Sequence, residues 1–282
     1  MVKTLKFNNR TVDLSCPTVM GILNATPDSF SDGGKFNNLD GAIDHCAAMI
    51  DAGATFIDVG GESTRPGAPL VSCDEELDRV IPVIEAISAR FDTLVSVDTS
   101  KAEVMSEAVN AGAVMINDVR ALQEPGAIEA AAKCNVPVCL MHMQGAPKTM
   151  QDDPEYGSVV CDVQAFLNAR ISACVDAGIH KGNIILDPGF GFGKTLAHNY
   201  QLLAGLSVLH EMGYPLLVGM SRKSMIGQIL NNSVDERLAG SLTLATIAAQ
   251  AGAQIIRVHD VQETVDVIAI VNAFRDYTVK GE

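Results

Sequence analysis

Short apolar runs alternate with helical patterns along most of this chain. Eight of the runs predict β-strands, at 18–23, 54–59, 93–98, 114–119, 136–141, 183–187, 215–220 and 254–258. The runs are continuously apolar, which is typical of strands covered on both faces. The helical patterns predict eight helices, at 39–52, 74–90, 101–111, 126–134, 156–177, 197–212, 235–251 and 261–277. Regular alternation of strand and helix predicts a parallel sheet.

Three segments repeat one design, in which Ala-Gly-Ala leads into an apolar run that ends on a polar residue. The polar residues at the ends of these runs are Asp58, Asn117 and Arg257. A helix that stops at a glycine and turns at once into a buried strand is typical of a βα unit. The glycines that we expect to end helices in this way are Gly53, Gly112, Gly178, Gly213 and Gly252.

Eight consecutive strand–helix pairs predict a closed (β/α)8 barrel, the TIM-barrel fold of the α/β class. An open doubly wound sheet is the alternative, but eight units in a row favour closure. Residues 1–15 precede the first strand and predict a short N-terminal β-hairpin, with Asn8 and Asn9 as its turn. No linker or low-complexity tract interrupts the pattern, so we expect a single domain over residues 1–282, with its core at about 18–277. Thr99 and Ser100 are expected to cap the third helix.

Composition narrows the function classes. The net charge of −14, the absence of Trp and the aromatic content of 5% argue against a nucleic-acid or anionic-membrane partner. No apolar run is long enough to predict a membrane span, and the N-terminus has no signal-peptide pattern. The seven cysteines are scattered, without a C-x-x-C pair, which predicts reduced thiols. We therefore expect a cytoplasmic protein that acts on small molecules.

In barrels of this kind the chemistry lies at the carboxyl ends of the strands. Asp98, Asn117 and Asp187 come from three different predicted strands and should point into one mouth. A carboxylate there could accept two parallel N–H bonds from a flat heterocycle such as an amino-pyrimidinone ring. The alternative is that each residue only caps a helix or turn, but three such tips together favour a binding pocket.

Cations follow the last two predicted strands. Arg257 and His259 alternate along the eighth strand and should face the same way, and Lys223 lies in the loop after the seventh. These groups predict an anion site, which this fold often builds from its last loops. The alternative is that Arg257 pairs with a local acid such as Asp260. A solvated loop is the alternative for Lys223 and, more strongly, for Arg222.

Two further residues and one segment have weaker signals. Asn24 ends the first strand and could give one oxygen ligand to Mg²⁺, although a structural asparagine is equally compatible with the sequence. The GFGFGKT segment is no phosphate-binding loop, because Pro188 and Lys194 stand where such motifs require glycine. We interpret it as a flexible pocket wall. His142 is expected to be a core or pocket-lining histidine instead of a catalytic base.

Several segments in combination are more specific than any one of them. They are GILNATPDSFSDGG, IDVGGESTRPGA, SVDT, INDV, ILDPGFGFGKT, GMSRKS and IRVHDV. Together they resemble the dihydropteroate synthases of the pterin-binding barrel family, in that family's order, from about residue 18 to 275.

The resemblance implies an enzyme of folate biosynthesis that condenses 6-hydroxymethyl-7,8-dihydropterin pyrophosphate with p-aminobenzoate. It implies a pterin pocket of Asp98, Asn117, Asp187 and Lys223, and pyrophosphate and Mg²⁺ positions at Arg257, His259 and Asn24. Lys223, Arg257 and His259 are the expected catalytic residues. Thr64 and the loops 24–37 and 60–70 are expected to close over the substrates. The resemblance also implies a homodimer formed through the last helices, and sulfonamides that compete for the p-aminobenzoate site.

Two other functions remain open at this point. A corrinoid methyltransferase of the same family would keep the Asp and Asn contacts to a pterin but would have no use for a pyrophosphate site. A non-catalytic pterin-binding protein would bind without forming product. The cations Lys223, Arg257 and His259 count against the first of these, and the complete set of loops counts against the second.

Overall fold

We describe the chain from a computed structural model, which covers residues 4–7, 10–25, 34–63, 68–145, 150 and 154–279. The strands in this part are β1 (Thr4–Phe7), β2 (Arg10–Asp13), β3 (Thr18–Asn24), β4 (Phe56–Gly60), β5 (Leu94–Asp98), β6 (Met115–Asp118), β7 (Val138–Met141), β8 (Ile184–Asp187), β9 (Leu217–Val218) and β10 (Ile255–Val258). The helices are α1 (Gly34–Asp51), α2 (Cys73–Arg90), α3 (Ala102–Asn110), α4 (Ala127–Cys134), α5 (Val159–Asp176), α6 (Leu196–Ala204), α7 (Leu206–His210), α8 (Ser224–Leu230), α9 (Leu238–Gln250) and α10 (Val261–Val279).

The eight strands β3–β10 form one parallel sheet in the order β8-β7-β6-β5-β4-β3-β10-β9. The two edges of this sheet meet, because Leu186 of β8 bridges Leu216 next to β9 and its amide donates to the Pro215 carbonyl at 2.9 Å. The sheet therefore closes into a barrel, which confirms the predicted (β/α)8 fold. Strand β9 is much shorter than the predicted run at 215–220.

One apolar side chain from each strand fills the lower part of the barrel interior. We call this set the lower row, and its members are Met20, Phe56, Leu94, Met115, Cys139, Ile185, Leu217 and Ile255. The predicted N-terminal hairpin is present as β1 and β2, and its side chains Leu5, Phe7 and Leu14 pack against the lower row. The rings of Phe7 and Phe56 meet edge to face, with centroids 5.0 Å apart. The predicted turn residues Asn8 and Asn9 lie outside the described residues.

Side chains alternate along each strand, so the neighbours of the lower row point outward into the core beneath the helices. Two residues further along, a second inward set begins, which we call the middle row. Its members are Ile22, Asp58, Ser96, Asn117, Met141, Asp187, Gly219 and Arg257. Because many of these are polar, the interior changes from apolar to charged within one step along the strands. The same alternation places Asp98 and His259 one step higher.

The helices follow the prediction apart from shifts at their ends, such as the start of α1 at Gly34 in place of 39, and three further differences. The predicted helix at 197–212 is two helices, α6 and α7, which meet at Gly205; an added Cβ there would lie 2.5 Å from Cγ2 of Val160 on α5. Helix α8 was not predicted. The predicted cap of α3 is wrong, because Ser100 donates to Asp118 and Thr99 accepts from the Lys101 amide instead.

The predicted glycine caps are confirmed. All five glycines have positive φ, from 83° at Gly213 to 118° at Gly112. Among the described helices, none combines the length and the apolar character needed to cross a membrane.

Candidate active site

A cavity of about 990 Å³ opens at the carboxyl ends of the barrel strands. Its walls come from β3, from the loops after β4 and β8, and from the last two βα connections. The lining residues include Asn24, Glu62, Asp98, Phe192, Lys194, Ser221, Lys223, Arg257 and His259. Asp58, Asn117 and Asp187 lie in the middle row at its base and are almost completely buried. The structure thus brings the predicted strand-tip residues together at one end of the barrel.

Arg257 connects the acids of this site. Its Nε donates to Oδ2 of Asp58 at 2.6 Å, and its Nη2 donates to Oδ2 of Asp98 at 2.8 Å. Nδ2 of Asn117 donates to the same Asp58 oxygen at 3.0 Å. The alternative pairing of Arg257 with Asp260 is wrong. Asp260 instead accepts two bonds from the Arg222 guanidinium, whose side chain remains 36% exposed.

The charges of Arg257 and Asp98 depend on each other. Burial raises the pKa of Asp98 to about 7, against the attraction of Arg257 and with a further rise from the nearby Asp58 charge. Burial disfavours the charged form of Arg257, but Asp58 and Asp98 outweigh burial and raise the pKa of its guanidinium. Arg257 is therefore a permanent cation, while Asp98 can change its charge near neutral pH.

Asp187 and Lys223 are a second pair of opposite charges in the site. Oδ1 of Asp187 accepts from the Gly189 amide at 2.7 Å, and Nζ of Lys223 donates to the Phe190 carbonyl and lies 4.6 Å from the centroid of the Phe192 ring. Burial lowers the pKa of Lys223 to about 8, although Asp187 opposes this change. Burial also raises the pKa of Asp187, and Lys223 opposes it.

The segment after β8 is a wall of the cavity, as predicted from GFGFGKT. Gly189 needs to be glycine, because its φ is 69° and an added Cβ would lie 1.8 Å from the carbonyl oxygen of His142. Phe190 is fully buried beneath this wall, whereas Gly191 and Phe192 face the cavity. The backbone of Gly189 therefore packs closely against the end of β7. This contact positions the Phe190 carbonyl and the Phe192 ring, which both contact Lys223.

Lys194 was not predicted as a site residue, yet it is buried in this wall. Its Nζ lies 2.9 Å from Nδ1 of His142 and donates to the carbonyls of Gly189 at 2.8 Å and Phe192 at 3.0 Å. Burial lowers the pKa of Lys194 to about 7, and burial together with Lys194 lowers the pKa of His142 to about 3. His142 is therefore a neutral, buried acceptor, which agrees with its expected role as a core or pocket-lining residue. A lysine amid glycines in an apolar segment was the available signal for Lys194.

His259 lies beside the cations and pairs with Ser221. Its backbone amide donates to the Ser221 hydroxyl oxygen at 3.2 Å, and that hydroxyl lies 3.1 Å from Nδ1 of the His259 ring. The Ser221 hydroxyl can donate to Nδ1 or accept from it, and in the tautomer in which it donates, Nε2 bears the ring proton. Both residues line the cavity. His259 can therefore offer an N–H group to an anion.

Asn24 is exposed at the end of β3 and lines the same cavity. Within the described residues, no group of three or more His, Cys, Asp or Glu side chains could hold a metal ion. A single amide oxygen suits Mg²⁺ only where water and substrate phosphate supply the remaining ligands. The donors present here fit that kind of site and do not fit a permanently bound metal. Thr64 lies outside the described residues.

A second ion-pair network supports the wall after β4, and the sequence did not predict it. Nζ of Lys101 lies 2.6 Å from Oε2 of Glu62 and also pairs with the fully buried Glu76. Oε1 of Glu62 accepts from the Val71 amide at 3.4 Å, and Arg79 donates to the Gly61 carbonyl at 2.7 Å. These contacts anchor both ends of the segment between residues 62 and 71.

A closed parallel barrel with acids, an amide and cations at its carboxyl end is the arrangement of a pterin-binding barrel. The family described as pterin binding enzyme matches residues 20–259. The chain is 62% identical to the dihydropteroate synthase of Escherichia coli K12 over 262 residues, which is 93% of each chain. It is 57% identical to that of Haemophilus influenzae over 263 residues, 93% of this chain and 96% of the relative.

Solved structures agree with these sequence relationships. A Yersinia pestis dihydropteroate synthase in a sulfonamide drug complex has a TM-score of 0.93 and 62% identity, covering 97% of this chain and 99% of that one. A Xanthomonas albilineans dihydropteroate synthase with 4-aminobenzoic acid has a TM-score of 0.92 and 49% identity, covering 98% and 99%. The chain therefore belongs to the dihydropteroate synthase family, whose members are enzymes of the transferase class.

Proposed function

We propose that this chain condenses 6-hydroxymethyl-7,8-dihydropterin pyrophosphate with p-aminobenzoate, giving 7,8-dihydropteroate and pyrophosphate in folate biosynthesis. The observation that carries the proposal is the contact of 2.8 Å between Nη2 of Arg257 and Oδ2 of Asp98 at the cavity. This contact links the acids and the amide, which suit a pterin ring, to the cations, which suit an anion. The relatives named as dihydropteroate synthases support the assignment.

In this proposal the acids and the amide hold the pterin. Asp98 and Asp187 can accept N–H bonds from the amino-pyrimidinone ring, and Asn117 adds an amide between them. Lys223 has its ammonium group fixed by the Phe190 carbonyl and the Phe192 ring, so it is placed to donate to the ring carbonyl or nitrogen. Because these groups are buried, each hydrogen bond contributes more than it would in water.

The cations stabilise the departing pyrophosphate. Asp58 and Asp98 accept from Nε and from one proton of Nη2 of Arg257, which leaves Nη1 and the second Nη2 proton as the donors that an anion would contact. His259 offers its Nε2–H beside it. Asn24 would hold Mg²⁺ together with phosphate oxygens and water, and the bound ion would supply further neutralisation of the leaving group. Preorganised charges of this kind typically contribute ~10²–10³ in rate each.

The reaction breaks one C–O bond and forms one C–N bond. Pyrophosphate leaves with the bonding electron pair, the electron-rich dihydropterin ring stabilises the methylene cation, and the arylamine nitrogen attacks this carbon and then loses a proton. The arylamine is already nucleophilic, so the site has to position it and does not have to activate it with a strong base. The walls that carry Phe192 and Glu62 keep water from the cation.

Release of pyrophosphate tests this function directly. The purified chain is mixed with the pterin pyrophosphate, p-aminobenzoate and Mg²⁺, and both pyrophosphate and dihydropteroate are measured. We expect equal amounts of the two products, and little release when the arylamine is left out. Tight pterin binding without product would indicate a binding protein, and methyl transfer to a cobalamin protein would indicate the methyltransferase; either result would contradict the proposal.

We further propose a cytoplasmic homodimer, sulfonamide inhibition and a single domain over residues 1–282. Helix α10 exposes Ile270, Phe274 and Tyr277 at spacings of four and three residues, which makes one apolar stripe on its outer face. A second copy of the chain would cover this stripe. The free cysteines agree with a reducing compartment. The sulfonamide drug complex of the Yersinia pestis relative supports competition for the arylamine site.

A further inference from the structure

Asp58 is fully buried beneath the cavity, and its two oxygens have different surroundings. Oδ2 accepts from Nε of Arg257 at 2.6 Å and from Nδ2 of Asn117 at 3.0 Å. Oδ1 is buried and has no hydrogen-bond partner among the residues that the structure describes. A carboxylate that serves stability alone would be expected to satisfy both of its oxygens. The asymmetry indicates that the contacts of Oδ2 have a function besides stability, which is to orient the two side chains that donate to it.

The first task concerns the amide of Asn117. An ionised carboxylate only accepts hydrogen bonds, so the amide nitrogen of Asn117, and not its oxygen, must face Oδ2 of Asp58. The reverse orientation would place two oxygens about as close as the present contact of 3.0 Å, next to a buried negative charge. Asp58 therefore leaves the amide oxygen of Asn117 as the acceptor for a ligand.

The second task concerns the guanidinium of Arg257. This group is planar, so a contact at Nε and another at Nη2 fix both its position and its plane. Asp58 holds Nε and Asp98 holds Nη2, and the side chain of Arg257 is itself only 20% exposed. Without Asp58, the guanidinium would keep Asp98 as its one carboxylate partner among the contacts described here.

We infer that Asp58 is a positioning residue of the pterin pocket. Through one oxygen it sets which atoms Asn117 presents to the ligand and holds Arg257 in line with Asp98. This inference rests on the pterin-binding function proposed above. Asp58 need not touch the substrate, because it acts through two neighbours that line or underlie the cavity. Asp58 thereby leaves two hydrogen-bond acceptors for the ligand, the amide oxygen of Asn117 and the carboxylate of Asp98. These acceptors suit a ring edge that bears N–H donors.

Asp58→Asn is the informative variant, because it keeps the shape of the side chain and removes its charge. Its new amide can donate or accept, so Asn117 becomes free to turn either way. Binding of 6-hydroxymethylpterin, followed by its fluorescence, is measured from acid to alkaline pH. We expect binding about tenfold weaker than in the wild type at the best pH. We also expect the acid-side midpoint to move to lower pH, because Asp58 no longer raises the pKa of Asp98.

Ser96→Ala is the matched control. Ser96 pairs in register with Asp58 on the neighbouring strand and is equally buried, and its hydroxyl has no hydrogen-bond partner among the described residues. We expect this variant to keep both the affinity and the midpoint of the wild type. Wild-type behaviour of Asp58→Asn, or the same changes in Ser96→Ala, would overturn the positioning role. If the wild-type protein itself fails to bind the pterin, the proposed function is wrong instead.

A measurement on the wild-type protein tests the same inference even if the Asp58→Asn variant does not fold. The side-chain amide of Asn117 is observed by ¹⁵N NMR and assigned through its loss in Asn117→Ser. A hydrogen bond to the Asp58 carboxylate predicts a downfield proton and slow exchange with water. Exchange as fast as that of the exposed Asn168 or Asn231 side chains would contradict the inference.

Discussion

Nη2 of Arg257 lies 2.8 Å from Oδ2 of Asp98, although the two residues are 159 positions apart in the chain. The sequence assigned Arg257 to an anion site and Asp98 to a pterin pocket. Their direct contact makes the two sites one electrostatic unit, in which a change of charge at either residue alters the other.

Removal of the shared cation should slow the reaction strongly. We expect Arg257→Ala to lower turnover by ~10²–10³, because the leaving group loses a preorganised charge and two buried carboxylates lose their partner. Steady-state assay of pyrophosphate release measures the effect. Arg120→Ala is the control, since Arg120 pairs with Glu124 outside the cavity lining. Turnover of the Arg257 variant within a few-fold of the wild type would contradict the proposed role.

The pH dependence of kcat/KM should be bell-shaped. Asp98 gains its charge as pH rises through about 7, which creates the acceptor that the pterin needs, and Lys223 loses its charge as pH rises through about 8. Activity should therefore rise on the acid side, reach its maximum between these two values and fall on the alkaline side. A profile that is flat across this range would show that neither group controls binding.

Lys194→Met tests the buried lysine in the cavity wall. The change leaves His142 Nδ1 and the carbonyls of Gly189 and Phe192 without their donor, although it also removes a costly buried charge. We expect the loss of contacts to dominate, lowering the free energy of unfolding by about 2–4 kcal/mol. Urea denaturation measures this difference, and the exposed Lys181→Met should leave stability nearly unchanged. Equal stability of the two variants would refute the prediction.

Asp118→Ala should lower stability without lowering kcat, although Asp118 is adjacent to the site residue Asn117. Asp118 points away from the cavity, and its oxygens accept from the amides of Arg120 at 2.8 Å and Leu122 at 2.7 Å. These bonds hold a turn in which Ala121 and Leu122 both have positive φ. We expect a loss of roughly 3 kcal/mol in stability, with kcat of the folded enzyme close to normal. A large drop in kcat at wild-type stability would reverse this assignment.

The apolar stripe on α10 makes the proposed dimer testable. Phe274→Glu places a charge at the centre of the stripe and should convert the protein to a monomer, which light scattering after size-exclusion chromatography would detect. Val208→Glu is a suitable control, because Val208 is an exposed apolar residue on another helix. A dimer that survives the Phe274 change would place the interface elsewhere.

Local patterns were sufficient to predict the barrel. Strand positions follow from apolar runs, helix ends from glycines such as Gly112 and Gly252, and the direction of Arg257 and His259 from simple alternation along β10. These features depend on neighbours in the chain, so the sequence displays them directly. The same reasoning brought Asp98, Asn117 and Asp187 to one mouth, since parallel strands all end on one side.

Contacts across the barrel could not be predicted in this way. Asp58 was visible as a strand tip, but its pairing with Arg257 requires the order and stagger of the closed sheet. Lys194 and His142 come into contact where the backbone of Gly189 packs against His142, directly after β7. The split between α6 and α7 at Gly205 likewise depends on the approach of α5, which no local pattern contains.

The hairpin of β1 and β2 seals the barrel at the end remote from the cavity. A protein tethered to a surface through this hairpin would therefore stand with its reactive opening turned to the surrounding solution. Immobilised biosensors or screening supports attached at that side should give small molecules unhindered entry, whereas attachment near the loops after β8 or β9 would block it.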